Sequence, residues 1–98
     1  MSSESVAVAL FEALAGDLAA LGFARNRRGS LLGADGSVRA MTSRGRIVVK
    51  LGHDRARDLF AQELGVPYKG QVNQWVELLP ELSPETVDRL VRESLKDS

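Results

Sequence analysis

The sequence holds no cysteine, a single histidine and only five aromatic side chains among its 98 residues. The missing cysteine excludes disulfides, thiolate metal sites and a cysteine nucleophile. One histidine is too few for the histidine-rich ligand sets of catalytic zinc. Five dispersed aromatics make a stacking surface for single-stranded nucleic acid hard to build. Long apolar runs are absent as well. The longest candidate, residues 5–23, is interrupted by Glu12 and Asp17 and falls short of the ~18 uninterrupted apolar residues of a membrane span. It lacks a basic leading segment and a credible cleavage site, so neither a signal peptide nor a membrane partner is expected. The default expectation is a soluble, cytoplasmic protein forming one domain over residues 1–98.

Net charge is also absent: 13 basic residues balance 13 acidic ones. The balance hides an asymmetry. Residues 1–22 carry a net −3, residues 23–57 a net +7 and residues 58–98 a net −4. The plain reading is that basic strands pack beside acidic helices. The sharper one is a basic face for an acidic partner. Three arginines crowd into "ARNRRGS", residues 24–30, and mark the start of the basic block.

What is present reads as a small α+β domain. Val6, Leu10, Leu14, Leu18 and Leu21 recur at helical spacing, with Phe11 beside them. Ser3 or Ser5 suits the cap of this first helix, and Gly22 suits its end. Gly16 is its weak point, costing roughly 1 kcal/mol relative to alanine. Turn signals follow at Asp35-Gly36 and Arg44-Gly45. They separate a short strand around Ser30–Leu32, the run "SVRAMT" and the β-branched run "RIVVKL", giving a three-stranded antiparallel meander. In the middle run Val38, Ala40 and Thr42 alternate with Arg39 and Met41. A second helix follows, with Asp54 as N-cap and Gly65 as its terminating glycine. "VPYKG" breaks the chain. "QVNQWVELL" alternates Val72, Gln74 and Val76 against Asn73, Trp75 and Glu77, and reads as a fourth strand. Ser83 caps and Pro84 opens a last helix whose apolar face is Val87, Leu90, Val91 and Leu95. The predicted order is α-β-β-β-α-β-α, with an antiparallel sheet, a meander plus a fourth strand, flanked by helices.

No motif carries chemistry by itself. His53 stands beside Asp54 with no nucleophile nearby and reads as helix-entry chemistry. The glycines of "GSLLGADGS" fit turns and match no phosphate-binding fingerprint. Asp54, Asp58 and Glu63 read as local charge balance with Arg55 and Arg57. Trp75, alone in a strand, reads as core before it reads as a ligand platform. Tyr68 suits either a core edge or a partner surface.

The pieces "GRIVVKL", "LF" and "GVPYKGQVNQWVEL" together resemble the N-terminal domain of the TfoX/Sxy family. That family shows a glycine turn, a strand ending in a Val-Val-Lys-Leu type of run, a short helix, a Pro-Phe/Tyr loop and a Trp-Val strand. Here the matching stretches are Gly45 to Leu51, Arg57 to Leu64, Pro67-Tyr68 and Trp75-Val76. "DGSVRAM" resembles the family's Asn-Gly-Lys-Val-Phe-Ala-Met hairpin. MmcQ/YjbR-like proteins share the Trp strand and the final helix. The resemblance implies an α+β domain associated with competence regulation, in which full-length members help a transcription activator act at promoters. It implies no catalytic residues. Full-length regulators carry a second, helical domain that these 98 residues do not include. Two local departures are basic: "RNRRG" occupies the place of a Met-Phe-Gly segment, and Arg39 the place of an aromatic.

The expectation is a non-enzymatic interaction module that binds a protein partner in transcription regulation, with no cofactor and no metal. The alternative is direct DNA binding through the basic hairpins, with Arg25, Arg27, Arg28, Arg39, Arg44 and Arg46 reaching phosphates. A small-molecule enzyme built around His53 is the weakest reading.

Overall fold

The chain's structure, a computed structural model, describes residues 3–70 and 73–96, with side chains from Val6 onward. The side chains of Ser3 and Ser5, proposed as caps, and Val72, expected in a strand, lie outside this set. In chain order the elements are α1 (Ser3–Ala20), β1 (Leu31–Leu32), β2 (Val38–Ser43), β3 (Arg46–Lys50), α2 (His53–Ala61), β4 (Gly65–Pro67), β5 (Trp75–Leu78) and α3 (Pro84–Lys96). The expected α+β architecture is present. The antiparallel sheet has the spatial order β1-β2-β3-β5-β4, so β4 is a fifth strand, at the edge, beyond the four predicted. It is three residues long and ends on Pro67, which an edge strand tolerates because no further neighbour needs its missing N–H.

The helix ends follow local chemistry. After α1, Phe23 N–H donates to the Leu18 carbonyl and Gly22 N–H to the Ala19 carbonyl, with Gly22 at φ 101°. That paired pattern closes the helix on the expected glycine. After α2 the same pair forms from Leu64 to Leu59 and from Glu63 to Phe60. The left-handed position there is Glu63, at φ 58°, and not the expected Gly65. Gly65 serves another need: a Cβ on it would lie 2.5 Å from Val76 Cγ1 and 2.9 Å from the Glu77 carbonyl oxygen. The N-cap of α2 is Gly52, in extended backbone, while Asp54 stands within the first turn and complements the helix dipole. At α3 the expected cap is present, with Ser83 Oγ accepting from Thr86 N–H at 3.2 Å.

All three helices feed one core. Phe11, Ala15 and Leu18 of α1, Ala56 and Leu59 of α2, and Val87, Leu90, Val91 and Leu95 of α3 meet Leu31, Ala40, Ile47, Val49, Val76 and Leu78 from the sheet. Only the inner part of the predicted α1 stripe is used: Leu10 and Leu14 pack at the core margin, whereas Val6 and Leu21 remain 54% and 65% exposed. Cross-strand register separates the two sides of the sheet. Ala40, Val49 and Val76 oppose one another on the helix side, and Met41, Val48 and Glu77 do so on the other. The helices therefore cover one face and leave the second open.

The register slips once. Leu31 pairs with Ala40 but Leu32 with Val38, so Arg39 is an extra residue without an opposite number. Such a bulge breaks the period-2 alternation expected for "SVRAMT". Arg39 and Ala40 are both buried as a result, at 7% and 0% exposure.

Candidate functional site

Three hairpin turns organise the basic block. The first is "ARNRRGS" itself. Asn26 and Ser30 bond through the Asn26 N–H, Gly29 N–H returns to the Asn26 carbonyl, and Gly29 sits at φ 85°. Asn26 Oδ1 also accepts from the backbone N–H groups of Arg28 and Ser30, both at 3.0 Å. Arg25 bridges to Leu31 and the Leu32 N–H reaches the Ala24 carbonyl, which makes the segment an ordered hairpin with Arg27 and Arg28 at its tip. Gly33 to Ser37 repeats the same build, with Gly36 at φ 83°. There Asp35 Oδ1 accepts from the Ser37 hydroxyl at 2.7 Å and from its N–H at 3.0 Å. These bonds favour the ionised form and hold the Asp35 carboxyl below its ordinary pKa. The third turn joins β2 to β3, with Arg44 and Gly45 both left-handed at φ 53° and 77°, the two-residue arrangement that matches strand twist.

The six arginines singled out in the sequence do not share a surface. Arg25 folds back on α1, with its NH2 group 3.1 Å from Glu12 Oε2 and its Nε and NH2 groups donating to the Gly29 carbonyl. Arg39 is directed by the bulge to the helix side, where its Nε donates to the Ser94 carbonyl at 2.9 Å. Ser94 lies near the end of α3, so the guanidinium meets one of the four carbonyls that a helix cannot satisfy internally. Arg46 pairs with Ser43 at the start of β3, on the face of Val48 and Lys50, and also borders a small apolar cleft between α1 and the entry to α3, with Val6, Leu10 and Val87. Arg27 and Arg28 are exposed at the hairpin tip, and Arg44 is exposed at its turn.

Arg28 and Arg44 do converge on the open face of the sheet, together with groups that the sequence did not group with them. Lys50 opposes Trp75 across β3 and β5 on that face. Tyr68 follows the edge strand β4, and its hydroxyl lies 2.8 Å from Ser43 Oγ on β2, so its side chain crosses the sheet over β5 and β3. This roof explains why Val48 is fully buried on the side that carries no helix. Tyr68 also divides the face into two hollows. One, about 360 Å³, is lined by Asn26, Arg28, Val38, Met41, Ser43 and Trp75. The other, about 570 Å³, is lined by Arg44, Val66, Pro67, Lys69, Gly70 and Glu77. Lys69, left-handed at φ 58°, places its ammonium 5.4 Å from the Tyr68 ring centre. Among the described residues Arg28, Arg44, Lys50 and Lys69 make no ion pair with an acid.

Glu77 apart, the acids of the helices lie on the other side, beside as many basic residues on α2 and α3. Glu12 and Asp17 are on α1, Asp54 and Asp58 on α2, and Glu85, Asp88 and Glu93 on α3. Arg55 joins α2 to α3 through Glu93 at 2.7 Å and bonds Asp58 at 3.0 Å. The Glu93 carboxylate is the main reason the Arg55 pKa is raised, with Asp58 adding to it. His53 is exposed at the first position of α2. Lys69 escaped the sequence reading because it lies far along the chain from the basic block. Trp75 was assigned to the core because a lone strand tryptophan carries no mark of which face it takes. The available signal was the alternation in "RIVVK", which puts Val48 and Lys50 on one side.

No protein-family model, curated protein or solved structure matches this chain.

Proposed function

We propose that this chain is a non-enzymatic macromolecular-interaction module whose working surface is the open face of the sheet. One observation carries the reading. The side left free by the helices gathers two of the five aromatics and four cationic side chains, three of them lining two hollows, against the one carboxylate of Glu77, while α2 and α3 carry balanced charge and α1 is net acidic. Aromatic and arginine-rich surfaces of this kind are where binding energy concentrates in recognition. The resemblance of "GRIVVKL" and "GVPYKGQVNQWVEL" to the TfoX/Sxy N-terminal domain supports a place in transcription regulation.

The test is site-specific photocrosslinking in cell extract. A photoreactive side chain at position 28 or 66 samples the open face, and one at position 17 or 57 samples exposed helix surface. Discrete adducts from positions 28 and 66, with none from 17 and 57, are the expected result. Adducts confined to the helix positions would assign the working surface to the other side and overturn the reading.

A further inference from the structure

The character of the open face narrows its partner. We propose that it binds a single-stranded nucleic acid, with Trp75 presented to bases and Arg28, Arg44, Lys50 and Lys69 to phosphates. The inference rests on the sheet-face reading and gives its partner a chemistry. Charge supplies the first argument. Arg28, Arg44, Lys50 and Lys69 face one carboxylate, Glu77, on this side of the sheet, so a polyanion is attracted here, whereas α2 and α3 carry balanced charge and α1 is net acidic. Shape supplies the second. Two hollows on either side of Tyr68 have the volume of small-ligand pockets, ~300–1,000 Å³, and each has a basic wall. Bases stacked within a duplex offer no free ring to Trp75, whereas an unpaired strand does.

The experiment uses the full chain and a short fluorescein-labelled oligodeoxythymidylate, read by anisotropy, with the emission of the only tryptophan, Trp75, as a second signal. Saturable binding with quenching of Trp75 is expected. Single strands lose about 0.7 log units of affinity per log unit of salt for each neutralised phosphate. Four contacts then predict weakening of about fifty-fold between about 50 and about 200 mM salt. Trp75→Leu should weaken binding about ten- to a hundredfold through lost stacking. The combined variant Arg28→Ser, Arg44→Asn alters only exposed side chains, so the fold is kept, and it should halve the salt slope. Arg57→Ser and Arg89→Ser, on exposed helix positions, should change neither.

Absence of saturable binding at low salt would overturn the proposal, as would an unchanged slope in the Arg28/Arg44 variant. Binding of duplex DNA as tight as, or tighter than, the single strand would do the same. Should the oligonucleotides fail while positions 28 and 66 still crosslink to a protein, this inference falls and the sheet-face reading stands. Adducts from the helices alone would remove both.

Discussion

Replacing Arg39 by methionine separates its structural role from a role in binding. Methionine keeps an unbranched apolar stem but removes the guanidinium. The Ser94 carbonyl, in a residue with 0% exposure, then loses the donor 2.9 Å away. A hydrogen bond from a charged group contributes about 1.5–3 kcal/mol, and stranding a buried acceptor costs about 1–3 kcal/mol on its own. Loss of the positive end-charge near the α3 C-terminus acts in the same direction. A destabilisation of about 2–3 kcal/mol follows, a large share of the ~5–15 kcal/mol that holds a domain folded. For a chain of this length each kcal/mol lowers Tm by about 4–8 °C, so a fall of about 8–24 °C is expected. Urea unfolding followed by Trp75 emission and by helical circular dichroism gives the midpoint and slope together. The midpoint should fall at constant slope. The salt slope of nucleic-acid binding, measured below the new Tm, should stay as it was. A variant within about 0.5 kcal/mol of the parent would refute the argument. So would a reduced salt slope with unchanged stability.

Other outcomes follow from the same geometry. A Cβ on Gly33 would stand 2.8 Å from Arg39 Cγ, so Gly33→Ala should cost about 1–3 kcal/mol, and much less in an Arg39→Ala background. Gly16 has nothing within 4 Å of its missing Cβ, and Gly16→Ala should raise stability by about 0.5–1 kcal/mol. Glu63→Gly should raise it by about 1 kcal/mol by relieving the left-handed residue after α2; both show as a higher urea midpoint. The Asp35 carboxyl should titrate below an aspartate in an unstructured peptide when followed by carbon NMR. Its folded pKa is the lower one, so its support of the Gly33–Ser37 turn is present above the unfolded pKa and lost as pH falls through the folded value. Ser37→Ala should move the midpoint back up, because the Ser37 hydroxyl is the largest cause of the shift.

The legible parts of the fold were those written in local chemistry. Ser83-Pro84, Gly22, Asp35-Gly36 and Arg44-Gly45 each mark a cap or turn by backbone preference, and each holds in the structure. What escaped depended on contacts distant in sequence. Glu63 takes a position that favours glycine because Gly65 is needed two residues later, where only a missing side chain clears Val76. Arg39 counts as a surface cation in any alternating strand, and only the slip against Leu31 and Leu32 turns it inward. Of the arginines proposed for phosphate contact, Arg28 and Arg44 reach the open face, while Arg25 and Arg39 are tied into the fold. Trp75 and Lys69 join the first two through sheet pairing and the turn after β4, neither of which composition records.

The segregation of charge has a further consequence, for how copies of the domain meet. A chain of zero net charge with a net-acidic α1 on one side of its sheet and cations across the other is a dipole. Two such molecules attract sheet to helix, and that contact uses two different surfaces, so it leaves a free sheet and a free helical side and does not close on itself. Without net charge there is little overall repulsion to oppose open-ended association. Ions at physiological strength reduce the attraction to a range of about 8 Å. The domain should therefore be least soluble in dilute buffer near neutral pH and dissolve more readily as salt is added, the reverse of what burial of an apolar patch would produce.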